Sequence, residues 1–136
     1  MLRLLEALSK KCCKEVERVG EKMLWTEWFN VSCSSDDLGL QWASEDYEMT
    51  ARQEMSFTPC HAEAKAYEPE TAMLKVIGEI MQSGDEDCVL LANGCAPVVL
   101  RRNGKTIVDD HRWGKRGVFP YEALGIDFEW GVIPYD

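Results

Sequence analysis

The sequence predicts an α+β fold in a single domain covering residues 1–136: an antiparallel, hairpin-rich sheet with an N-terminal helix and a central amphipathic helix packed on it. Three observations lead there. "PETAMLKVIGEIMQSG" repeats apolar residues at helical steps. Downstream, Asn93-Gly94 and Asn103-Gly104 separate short apolar runs, and both pairs accept the positive φ of tight hairpin turns. A chain of 136 residues is also of single-domain size, able to bury roughly two-thirds of its unfolded surface in one core.

The elements follow in order. Residues 2 to 19 read as a helix, because Leu5, Leu8, Cys12, Val16 and Val19 recur at three- and four-residue steps, with Gly20 as its stop. "MLWTEWFNVSCS" is rich in aromatic and β-branched residues and reads as a strand. Ser34 to Met55 has no clean period beyond a capped helical turn starting at Asp36 or Asp37. "SFTPCHAEAKAYE" alternates as a strand, with His61, Glu63, Lys65 and Tyr67 on one face and alanines on the other. In the central helix Pro69 suits the first turn, Glu68 and Glu70 its positive end, and Gly84 the position past its C-terminus. Met73, Val76, Ile77, Ile80 and Met81 form its apolar stripe. "CVLLA", "APVVLRR" and "KTIVDD" then make a meander in which Pro97, lacking an N–H, belongs at a strand start, an edge or a bulge. A basic loop "HRWGKRG", a short "YEALG" and a last apolar run "IDFEWGVIPY" close the chain.

Composition narrows the function classes. The net charge of -9 repels nucleic-acid phosphates and favours encounter with basic proteins. Basic residues do gather between Arg101 and Arg116 around Trp113, but on so acidic a body they are expected to tie to the chain's own carboxylates or to orient a partner. No apolar run approaches the ~20 residues of a membrane span. The N-terminal apolar patch is not followed by a small-residue cleavage site, so a cytoplasmic location is expected. The six cysteines show no C-x-x-C spacing and are expected as free thiols.

Chemistry has few carriers here. The only histidines are His61 and His111. Cys60 beside His61 points to the opposite strand face, which leaves Cys60, Asp110 and His111 as the one conceivable catalytic or metal-assisted set. No nucleotide-binding glycine motif or hydrolase elbow occurs, and no cofactor is implied. The acidic residues are more informative. Asp36, Asp37, Glu45, Asp46 and Glu48 surround Trp42 and Tyr47, while Asp85, Glu86 and Asp87 form a second group. Carboxylates around aromatic anchors suit a protein contact, the rings supplying area and the charges steering a basic partner; the alternative is that Trp42 and Tyr47 belong to the core.

From Ser56 to Trp113 the sequence resembles the Sit-type immunity proteins of bacterial polymorphic toxin systems. Gly84, Asp85, Asp87, Leu90, Leu91, Asn93, Gly94, Val98, Leu100, Arg101, Arg102, Gly104 and Trp113 carry the resemblance. It departs at Cys95, where an acidic residue is expected after the Asn-Gly turn, and the N-terminal half has no correspondence. The resemblance implies a small cytoplasmic protein that binds and silences a cognate toxin, an action by occupancy that needs no catalytic machinery; the sequence leaves the oligomeric state open, with a monomer favoured. Competing expectations are a small cysteine-dependent or metal-assisted enzyme and a non-catalytic adaptor.

Overall fold

The computed structural model describes residues 2–35, 38–47, 49, 53–60, 67–92, 96–110 and 119–133; side chains at 38, 39, 43, 46 and 92 lie outside that description. The fold is α+β. In chain order come helix α1 (Leu2–Cys12), strands β1 (Val16–Val19), β2 (Met23–Thr26) and β3 (Phe29–Ser34), helix α2 (Leu38–Asp46), β4 (Glu54–Pro59) and helix α3 (Glu68–Gln82). Strands β5 (Cys88–Ala92), β6 (Ala96–Arg102) and β7 (Lys105–Asp109), a 3-10 turn (Tyr121–Leu124) and β8 (Glu129–Gly131) follow.

The strands divide into two four-stranded sheets, β1-β2-β3-β4 and β5-β6-β7-β8. In the first, an antiparallel meander, Leu24 lies opposite Val31 and Val31 opposite Phe57. Strand alternation therefore sends Leu24, Thr26, Phe29 and Val31 inward, where all four are buried. Leu5 and Leu8 of α1 and Ala72 and Val76 of α3 complete this core, with the Phe29 and Phe57 rings 5.4 Å apart. In the second sheet, Val99 and Val108 face a core shared with Leu74 and Met81 of α3 and with Tyr121 and Leu124. The opposite face carries Leu100, packed with Tyr47 and Ile133. β6 is buried along Ala96–Leu100 because both its faces are covered.

Helix α3 is the wall between the two cores. Its buried residues, Pro69, Ala72, Leu74, Val76, Gly78 and Met81, wrap beyond the single stripe expected from Met73, Val76, Ile77, Ile80 and Met81. Ala72, 6% exposed, and the buried Gly78 lie beyond the two edges of that stripe, since a helix packed on two sides is apolar on two sides. The helix also approaches the 3-10 turn closely enough that a Cβ at Gly78 would sit 1.8 Å from the Leu124 carbonyl oxygen. Only glycine fits.

Other expectations need correction. The helix expected over 2–19 ends at Cys12, and Val16–Val19 is a strand. The Glu27 carboxylate accepts from the N–H groups of Lys14 (2.7 Å) and Glu15 (2.6 Å), ending helical bonding there, and Gly20 at φ 69 turns the chain into β2. The single strand expected over "MLWTEWFNVSCS" is a hairpin. The Thr26 hydroxyl accepts from the Phe29 N–H at 2.9 Å and donates to its carbonyl, fixing the reversal. Tyr67 does not lie on a strand face: it precedes α3 with φ 61, its ring edge-on to Phe119. His61, Glu63 and Lys65 lie outside the described residues. β8 pairs with β7 in parallel, so the second sheet is not wholly antiparallel. Two expectations hold closely. Asn103 and Gly104 turn with φ 53 and 78, and Pro97 sits at an irregularity where the β5–β6 register shifts.

Gly78→Ala tests the wall. Alanine gains up to about 1 kcal/mol of helix propensity, but its methyl must displace the Leu124 backbone, so a net loss of about 2–3 kcal/mol is expected. Urea unfolding should show a lower midpoint with an unchanged slope; an unaltered midpoint would mean the 3-10 turn yields without cost.

Candidate partner-binding site

The described side chains of helix α2 and of Tyr47, which follows it, fall on two faces. Leu40, Ser44 and Tyr47, at helical spacing, turn inward, and the Ser44 hydroxyl donates to the Leu40 carbonyl at 2.7 Å. Gln41, Trp42 and Glu45 turn outward, with Gln41 Nε2 donating to Glu45 Oε1 at 3.2 Å. Trp42 is 59% exposed, an unusual position for an indole. Tyr47, by contrast, is 5% exposed and packs on Leu100 and Ile133. Of the two places the sequence allows Tyr47, surface anchor or core, its burial gives the second: just after α2 it packs into the core against the second sheet, and it is not a surface anchor.

The end of β6 and the β6–β7 turn bond to the acidic turn at 85–87 and to the backbone that follows α2. Strand alternation sends Arg101 and Arg102 to opposite faces of the sheet. Arg101 donates from Nη1 to the Met81 carbonyl (2.6 Å) and from Nε to the Glu86 carbonyl (2.9 Å), clamping the end of α3 and the acidic turn. Arg102 donates from Nη2 to the Tyr47 carbonyl at the end of α2. The next residue, Asn103, gives its N–H to Asp87 Oδ1 at 3.0 Å. Arg101 and Arg102 thus bond to backbone carbonyls, while Lys105 makes the expected tie to a carboxylate, 3.2 Å from Glu129 Oε2. Asp85, Glu86 and Asp87 are exposed. Trp42, Glu45 and the 85–87 turn are accordingly all tethered to one end of the second sheet. Asp36, Asp37, Glu48 and the Asp46 side chain lie outside the described residues.

The catalytic alternative finds little among the described residues. Cys12, Cys13, Cys33, Cys60 and Cys88 are free. Burial pushes the Cys12, Cys13, Cys33 and Cys88 thiols up, Cys13 to about 11, which is opposite to the shift of a nucleophilic thiolate. Cys60 and Asp110 are exposed, and His111 lies outside the described residues. Asp109 is buried, and Tyr121 is pushed up to about 12 by its own burial and then by the Asp109 charge. Among the described residues no group of His, Cys, Asp and Glu could hold a metal ion, and no helix is long and apolar enough to cross a membrane. An open cleft of about 240 Å³ between α1, α3 and the β2–β3 turn is lined by Cys12, Trp28, Glu68, Thr71, Ala72 and Lys75. It is smaller than the roughly 300–1,000 Å³ of typical ligand sites.

One feature escaped the sequence reading. Val19, Met23 and Trp25 stand exposed on the first sheet. The signal was the alternation Met23-Leu24-Trp25-Thr26, which places two large apolar residues opposite the buried pair; reading residues 23–34 as one continuous strand hid it. Comparison of the chain with protein-family models, with curated proteins and with solved structures finds no match.

The raised Cys13 thiol gives a pH dependence. The folded chain keeps this proton to about pH 11, whereas the unfolded chain loses it near the ordinary thiol value of about 8.5. The contribution to stability is therefore intact below the unfolded value and is lost as pH rises through the folded one. Denaturant unfolding between pH 8 and 11, at roughly one-unit steps, should show a smaller alkaline decline for Cys13→Ala than for the parent chain. Parallel declines would remove Cys13 as a source.

Proposed function

We propose that this chain is an immunity protein that binds and neutralises a cognate bacterial toxin domain in the cytoplasm by one-to-one association. The observation that carries the reading is Trp42, an indole 59% exposed beside Glu45, on a helix whose other face is fixed to the second sheet through Tyr47. A pre-positioned aromatic side chain loses little freedom on binding, and exposed indoles are frequent interface hot spots. Glu45 and the net charge of -9 favour a basic partner and oppose nucleic acid.

The resemblance to Sit-type immunity proteins supports the same reading from another side. Arg101, Arg102 and Asp87, all among the resembling residues, make the ties that hold the end of α2 and the acidic turn, and Gly104, also among them, completes the positive-φ turn at Asn103. They build the scaffold on which contact residues are mounted. Inhibition by occupancy requires a rigid surface and no reacting group, which suits a chain whose shifted thiols are all raised.

The test is protection. Co-expression of the chain with the toxin domain encoded beside its gene should rescue growth, and Trp42→Ala should weaken binding about 30-fold or more, the loss of a hot-spot aromatic. Glu45→Lys should slow association several-fold at low salt with an unchanged melting temperature. The association rate of the parent chain should fall as salt rises. A parent chain that neither binds nor protects would end the immunity reading; full affinity in Trp42→Ala would move the contact away from α2.

A further inference from the structure

The first sheet has one face packed on α1 and α3 and one turned away from them. Register fixes what the second face displays. Val19 lies opposite Met23, Glu17 opposite Trp25, Ser32 beside Met23 and Asn30 beside Trp25. The positions between them, Leu24 and Val31, are fully buried on the other side. Val19, Met23 and Trp25 are 50%, 39% and 37% exposed, and they adjoin one another across β1 and β2. The open face of an antiparallel sheet is ordinarily polar, as this one is along Asn30, Ser32, Ser56 and Thr58. A contiguous group of valine, methionine and tryptophan on it marks a contact surface rather than scattered exposure.

Charge selects the occupant. The outward strand positions of this sheet carry Glu17 and Glu54 and no lysine or arginine, Arg18 being turned inward to the Glu6 carboxylate at 2.9 Å. A second copy of the chain would set Glu17 against like charge and join two bodies of -9 each. An anionic lipid surface is repelled for the same reason. We propose that the outward face of β1 and β2, centred on Met23 and Trp25, is a docking surface for a positively charged protein segment that brings an apolar side chain to the tryptophan. This rests on the reading of the chain as a binding protein, and it engages a different element from α2.

The proposal can be tested without the toxin. Two soluble peptides of equal length and tryptophan content, one lysine-rich and one glutamate-rich, are titrated into the isotope-labelled chain while backbone amide signals are followed by NMR. The lysine-rich peptide should move the signals of Val19, Met23, Trp25 and Asn30 saturably, and the glutamate-rich peptide should not. Trp25→Ser should weaken that binding roughly tenfold or more. Glu17→Lys, which removes no apolar surface, should weaken it several-fold and reduce its salt dependence. Shifts confined to other residues, equal responses to both peptides, or peptide-free shifts that grow with protein concentration, the mark of a second copy, would each overturn the proposal. The two readings fail separately. Toxin protection with no response on this face overturns only the docking surface, while a response here without protection overturns only the immunity reading.

Discussion

Everything in this molecule is arranged around the need to bury helix α3 on two sides. Each sheet lays its inward apolar residues against this helix. The first contributes Leu24, Phe29 and Val31, the second Val99 and Val108, and both rest on the same fifteen-residue helix. Apolar burial contributes about 25 cal/mol per Å², so a helix that serves two cores adds stability on each flank. The constraint is geometric. The 3-10 turn meets the α3 backbone at Gly78, and the Leu124 carbonyl occupies the space of a side chain. Substitutions on α3 therefore affect both sheets, whereas substitutions on the outward face of β1 and β2 affect neither core.

The second dependence runs through adjacent residues of β6. Because strand side chains alternate, Arg101 and Arg102 leave the sheet on opposite sides, one reaching α3 and the acidic turn, the other reaching α2. The Met81 carbonyl, in the last turn of α3, is one that intrahelical bonding leaves open, and Arg101 supplies its donor. The side chain of Asp87, on the acidic turn itself, completes the arrangement by accepting from Asn103. A cluster of positive charge that looks in sequence like a ligand site is thus partly consumed in construction.

How much of this could be read from the chain depends on whether the deciding interaction is local. The α3 helix and the Asn103-Gly104 turn were legible, since helical spacing, Pro69 and positive φ are all settled within a few residues. The end of α1 was not. Val16 and Val19 continue the spacing of Leu5, Leu8 and Cys12, and what ends the helix is Glu27, a carboxylate supplied from beyond β2. In the same way Trp42 and Tyr47 sit five positions apart in one acidic segment, and nothing local says which is core. Contact with Leu100 and Ile133 decides it, assigning Tyr47 to the interior and leaving Trp42 outside. The parallel pairing of β8 depended likewise on a contact across the intervening segment.

The distribution of apolar residues outside the cores carries the functional argument furthest. Stability would be served as well by polar side chains at positions 19, 23, 25 and 42, because residues left in water contribute little burial energy. Exposed apolar strands also invite unwanted pairing. The chain limits that hazard where it arises: β1 is only four residues long and places Glu17 on the outward face beside Trp25. A carboxylate set among exposed apolar groups discourages association between copies of this acidic chain, yet it strengthens attraction to a surface of opposite sign. The same pairing of indole and carboxylate recurs at Trp42 and Glu45 on a separate element. In both places apolar area would supply affinity and the carboxylate would reject acidic partners, the combination on which the proposed binding of a basic protein rests.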